Sequence, residues 1–245
     1  MWPEKFSLKP DPDFVAHLEE LRRRLLIALI AFAIVTVASY FFSRQLLDLL
    51  IEPLRRYQDV ELFFHKPYEA FLIHLKVAAL SGILISSPVF ITQLWLFISP
   101  GLYTHEKKIV IPLILISILM FLTGAAFAYG IVIPWGLHFL LSFQTEGMKP
   151  LLGVGPYFSF LIGMILAFGV LFDFPIAIVG LVRLGVLQTA RLKRGRRTVI
   201  VLILIASAVL TPSPDPVSQL LLAVPLLFLF ELSLLVAGKI EAKRS

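Results

Sequence analysis

Residues Ile109–Ile133 read IVIPLILISILMFLTGAAFAYGIVI, twenty-five positions without one charged side chain. At 1.5 Å of rise per residue such a run makes a helix of about 37 Å, long enough to cross a hydrocarbon core about 30 Å thick. A helix on the surface of a soluble domain would carry a polar stripe, and this one has none. Five further apolar stretches flank it. Leu25–Phe42 and Phe71–Ile98 precede it and Tyr157–Leu184 follows. Val199–Leu210 and Val217–Ala237 stand on either side of Thr211-Pro212-Ser213-Pro214-Asp215-Pro216. The expected architecture is all-α: a polytopic membrane protein with six transmembrane helices, forming a single integral membrane domain over residues 1–245. The approximate spans are 25–42, 71–98, 109–133, 157–184, 199–210 and 217–237. The fifth run offers only 12 residues before the prolines, against the 17–25 or so of a full span. It pairs with the sixth through a proline-rich turn, so short fifth and sixth helices are expected as a hairpin.

Composition agrees. The chain is 58% hydrophobic and 16% charged, where soluble domains average about 45–50% and 25%. Its mean hydropathy is +0.90. A large soluble enzyme and a disordered chain are both excluded, the first for want of polar surface and the second for want of charge. With no cysteine, disulfides, thiolate metal sites and thiol nucleophiles are excluded. Residues 1–24 are polar and mixed in charge, so no cleavable signal peptide is expected.

The formal net charge is +6. Sorted by connection, sixteen of the 22 Lys and Arg residues fall on the side that carries both termini. Five (Arg44, Arg55, Arg56, Lys66 and Lys149) fall on the other, and Lys76 lies within the second stretch. Basic loops stay on the cytoplasmic side of a membrane, so the N- and C-termini are expected in the cytoplasm. The basic excess is topological and gives no reason to invoke nucleic acid. On the opposite side, Gln45–Arg56 sets Leu46, Leu47, Leu50, Ile51 and Leu54 against Asp48, Glu52, Arg55 and Arg56. That spacing predicts an amphipathic helix lying at the interface.

Chemical motifs are missing. His105-Glu106 continues as Lys107-Lys108-Ile109, not as the HExxH zinc pattern. No GxSxG elbow, Walker A loop or GxGxxG run occurs. No catalytic residue, metal site or cofactor is expected, and the chain does not read as an enzyme.

The acids are more informative than the bases. Asp173 falls mid-span in Phe172-Asp173-Phe174-Pro175. A carboxylate at that depth costs about 2.5–3.5 kcal/mol on insertion scales. It is either paired with a Ser, Thr or Gln inside the bundle or serves a partner, proton or cavity role. Lys76, with Glu69 and His74, sits near the outer end of the second span, where its stem can snorkel. Pro88 reads as a kink and Pro112 as a first-turn residue. At the cytoplasmic rim, His17-Leu-Glu-Glu-Leu-Arg-Arg-Arg24 and Ser99-Pro-Gly-Leu-Tyr-Thr-His-Glu-Lys-Lys108 each set a carboxylate among basic residues. Positive-inside anchoring accounts for the bases and leaves Glu20 and Glu106 unexplained. They either pair with neighbouring Lys and Arg or form an acidic site for a cationic ligand.

These segments resemble the TatC family, the multispanning receptor subunit of the twin-arginine protein translocase. The markers are His17–Leu25, Ser87-Pro88, Gln93–Lys107, Phe127-Ala-Tyr129, Ala167-Phe-Gly169 with Phe172–Pro175, and Leu210-Thr-Pro with Ser218-Gln219 and Pro225. The resemblance implies a receptor that binds twin-arginine signal peptides of folded proteins for proton-gradient-driven export. It implies that Glu20 and Glu106 recognise the arginines, with Arg22, Phe97, Leu102 and Tyr103 lining the same surface. It places the intramembrane acid, Asp173, on a concave face, and a polar patch around Thr211 and Gln219 against the single-span partners TatA and TatB. Contact with membrane lipid, homo-oligomers within the complex and a bacterial or archaeal cytoplasmic membrane are implied too. Two departures stand out: the family most often carries Glu where this chain has Asp173, and the Thr211–Gln219 turn is richer in proline. The alternative from the residues alone is a small proton-coupled secondary transporter built on Asp173.

Overall fold

Lipid offers no hydrogen-bond partner to a peptide group, so each long apolar run closes its own backbone bonds as a helix. The computed structural model describes residues 12–56, 60–98, 107–142, 151–183, 187–210 and 216–242. The first helix, α1, spans Pro12–Phe41, and a short amphipathic helix, α2, spans Ser43–Arg55. After strand β1 (Glu61–Phe63) comes α3, Glu69–Ile98. Helix α4 (Lys107–Phe127) continues through a π-helical turn at Ala128–Val132 into α5, Ile133–Leu141. Strand β2 (Leu151–Gly153) leads into α6, Val154–Arg183. The chain ends with α7 (Thr189–Arg194), α8 (Arg196–Leu210) and α9 (Pro216–Ala242).

Five of these segments are long and apolar enough to cross a membrane: α1, α3, α4 with α5, α6 and α9. The remaining transmembrane helix, fifth in chain order, is α8, whose 15 residues reach only about 22 Å. The hairpin is therefore asymmetric. Where two short helices were expected, α8 is short and α9 runs 27 residues. Pro216 begins α9 at a position where a missing N–H costs nothing. Beyond the apolar run the helix continues through Gly238–Ala242.

Small residues set the helix contacts. At Gly124 of α4 a Cβ would collide with the Phe168 carbonyl oxygen and the Phe172 ring on α6. Only glycine lets these two backbones meet so closely, the usual device of membrane helix pairs. Gly82 plays the same part between α3 and Thr36 of α1. The core thus formed includes Val77, Leu80, Ile133, Phe158, Leu161 and Phe168, all under 3% exposed. Outward-facing positions are just as apolar: Ile34, Val37, Ile111, Val170, Val209 and Phe228 are exposed, as lipid-facing side chains must be.

One end of the bundle is capped. The two three-residue strands pair in parallel, Glu61 with Leu151 through Phe63 with Gly153, tying the α2–α3 and α5–α6 connections together. Helix α2 buries Leu50, Pro53 and Leu54 and exposes Asp48, Glu52, Arg55 and Arg56. Pro53 has no N–H to offer the carbonyl four residues earlier, and its ring crowds it. The Tyr129 hydroxyl donates instead to that carbonyl, Leu49 O, at 2.6 Å. Tyr157 donates to the next, Leu50 O, at 2.9 Å. Two tyrosines from the spanning helices thus fasten the amphipathic helix over the bundle. The π-turn below Tyr129 has a similar cause. Pro134 cannot continue the α-helical ladder, and the Ile133 N–H reaches back five residues to Ala128 O.

Candidate functional site

Glu20 stands near the start of α1, one helical turn before Arg24, so both side chains share a face. Arg24 Nη2 lies 2.7 Å and Nε 3.0 Å from Glu20 Oε1. Arg24 Nη1 also donates to Gln93 Oε1 of α3 at 3.2 Å. The pair is largely covered, with Arg24 16% and Glu20 22% exposed. Two depressions are lined by this part of α1. One, 610 Å³ in volume, is polar and is lined by Ala16, Glu19, Glu20, Arg22, Arg23 and Leu26. The other, 160 Å³, is an apolar groove between α1 and α3 that holds Arg24, Gln93 and Phe97. The Phe97 ring stacks on His17, centroids 4.5 Å apart.

The structure therefore brings Glu20, Arg22 and Phe97 to one rim. Glu106, Leu102, Tyr103 and Thr211 lie outside the described residues. Gln93, quoted above only as part of a sequence marker, belongs to this cluster. Its sole signal in the sequence was an amide one turn from Phe97 near the end of a span.

Asp173 lies within α6. It receives a hydrogen bond from the Ser117 hydroxyl of α4. The Trp95 indole N–H of α3 donates to the same Ser117 Oγ at 3.0 Å. Ser117 is fully buried and Trp95 is 5% exposed, so the chain Trp95–Ser117–Asp173 links three helices. Among the described residues Asp173 Oδ1 has no partner. A pairing with a bundle serine is thus present, and one oxygen remains for other chemistry. Gln219 of α9 donates its amide to Leu204 O of α8 at 2.9 Å, which braces the terminal hairpin. Arg196 and Glu231 close the other end of that hairpin at 2.6 Å. Lys76, itself exposed, donates to Ser159 Oγ of α6 at 2.9 Å. His74 Nδ1 lies 2.9 Å from Ser43 Oγ of α2. No group of three or more metal-ligating side chains occurs among the described residues.

Known proteins similar to this chain share one family. The model of the Sec-independent protein translocase protein (TatC) family matches residues 16–225. The TatC protein of Aquifex aeolicus is 41% identical over 231 residues, covering 93% of this chain and 95% of its own. That of Magnetococcus marinus is 36% identical over 233 residues, covering 94% and 86%. Among solved structures, the twin-arginine translocase receptor TatC crystallised in DDM superimposes with a TM-score of 0.83 at 41% identity. It covers 90% of this chain and 99% of its own. These likenesses favour a translocase component over a secondary transporter. The chain belongs to the TatC family of Sec-independent protein translocase components, multi-pass helical membrane proteins that are not enzymes.

Proposed function

We propose that this chain is the receptor of its translocase and binds twin-arginine signal peptides of folded cargo at the α1–α3 rim. One observation carries the reading. The Glu20 carboxylate is partly buried, opens on a polar depression, and already accepts a guanidinium through two N–H groups. A carboxylate so placed is complementary to arginine, whose planar fork a lysine ammonium cannot reproduce. Glu106 supplies the second acid, and Arg22, Phe97, Leu102 and Tyr103 complete the surface. The α8–α9 hairpin around Thr211 and Gln219 takes single-span TatA- and TatB-type subunits. Asp173, with one oxygen unspent, faces helices that enter during transport. Both termini lie in the cytoplasm, the complex holds more than one copy, and export draws on the proton gradient.

Photo-crosslinkers placed singly at positions 20, 106, 173 and 219 test the assignment. Signal-peptide adducts are expected from 20 and 106, and partner-helix adducts from 219. Peptide adducts from 219 alone, with none from 20 or 106, would overturn it.

A further inference from the structure

The rim described above is not an empty anionic site. Its carboxylate is occupied, and by a guanidinium of the same helix. Arg24 directs Nε and Nη2 at a single oxygen, Glu20 Oε1. Its remaining amino group, Nη1, is held by Gln93 on α3. A guanidinium binding from outside in fork geometry needs both carboxylate oxygens, and it cannot have Oε1 while Arg24 is there.

We propose that Arg24 is an internal competitor for the arginine-binding carboxylate, exchanged for a signal arginine and retained by Gln93 when displaced. This rests on the reading of Glu20 as the receptor acid and concerns how that acid is regulated. Three physical points support it. Without a peptide, a carboxylate only 22% exposed would be an uncompensated, partly buried charge, and Arg24 removes that penalty. With a peptide, the bond formed and the bond broken are of the same kind, so binding is an exchange with a small net gain. A receptor that must later release its cargo is served by that arrangement. Finally, Gln93 already bonds the Arg24 edge that faces away from Glu20, so the displaced side chain keeps one of its three hydrogen bonds.

The alternative role for Arg24, holding Glu20 in the right rotamer for the peptide, predicts the opposite sign. Competition means that removing Arg24 tightens binding, and positioning means that it weakens binding.

The experiment is fluorescence anisotropy of a labelled twin-arginine signal peptide against the full-length protein in nanodiscs. Arg24→Gln is expected to tighten binding about three- to tenfold, as displacement of a partly screened ion pair allows. Arg24→Lys keeps the charge but loses the fork, and is expected to fall between wild type and Arg24→Gln. Gln93→Leu strands the displaced Arg24. It should weaken binding in the wild-type background and leave Arg24→Gln unaffected. Glu20→Gln tests the underlying reading separately. If Glu20→Gln weakens binding while Arg24→Gln leaves it unchanged or weaker, the competitor is overturned and the receptor acid stands. If Glu20→Gln binds like wild type, both are overturned. Since Arg24→Lys preserves charge and stem, a weakened Arg24→Gln restored by Arg24→Lys identifies positioning and also overturns the proposal.

Discussion

Ser117 is the hinge of the polar network inside the membrane, and Ser117→Ala is the most informative substitution there. The hydroxyl accepts from Trp95 Nε1 at 3.0 Å and donates to Asp173. Alanine removes both bonds with little change of volume, so packing losses are small. What remains is an indole N–H on a side chain 5% exposed, among Ile91, Val110, Leu113 and Phe121. A buried donor left without a partner costs about 1–3 kcal/mol. Side-chain hydrogen bonds between membrane helices average lower, about 0.6 and up to about 1.7 kcal/mol. About 1–2 kcal/mol is therefore expected. For a chain of this size that lowers the melting temperature by about 2–8 °C. Thermal unfolding of the detergent-purified protein measures it. A double-mutant cycle with Trp95→Phe separates network from packing. With the indole N–H gone, Ser117→Ala should cost about 0.5–1.5 kcal/mol less than in the wild-type background. Strict additivity of the two substitutions would refute the network.

Two further outcomes follow from the packing. Tyr157→Phe deletes the donor to Leu50 O and should cost about 1 kcal/mol. Hydrogen exchange should rise along α2, 43–55, and not along α9; uniform exchange would mean that α2 is held by burial alone. Gly124→Leu should destabilise by about 1–3 kcal/mol, because its side chain meets the α6 backbone at Phe168. Gly163→Ala, with open space around it, should be neutral or slightly stabilising. Equal melting temperatures for these two variants would contradict the close α4–α6 approach.

The parts of the fold legible in the sequence were those set by a one-dimensional pattern. A charge-free run such as Ile109–Ile133 has one stable solution in lipid, and the alternation of Leu50 and Leu54 with Asp48, Glu52 and Arg55 allowed only a surface helix. What depended on contacts between distant residues was not legible. The strand pair of Glu61–Phe63 with Leu151–Gly153 is three residues long on each side, too short to show periodicity. The length of α9 was underestimated because hydropathy stops at Ala237, whereas a helix stops where its backbone does. At the rim, the Glu20–Arg24 spacing of four residues is visible in the sequence. The third member, Gln93, is 69 positions away and only folding brings it there. The same holds inside the membrane. Asp173 stood out as a lone acid, but Trp95 and Ser117 looked like ordinary span residues until α3, α4 and α6 packed together. A buried tryptophan N–H needs an acceptor, and that need was the one clue.

The central claim is that Glu20 and Glu106 read paired arginines. Pull-down of immobilised signal peptides tests it most directly, comparing Arg-Arg with Lys-Lys against wild type and against Glu20→Ala with Glu106→Ala. The account predicts retention of wild type on the Arg-Arg peptide alone, and loss of that retention in the double variant. Equal retention in all four combinations would contradict it.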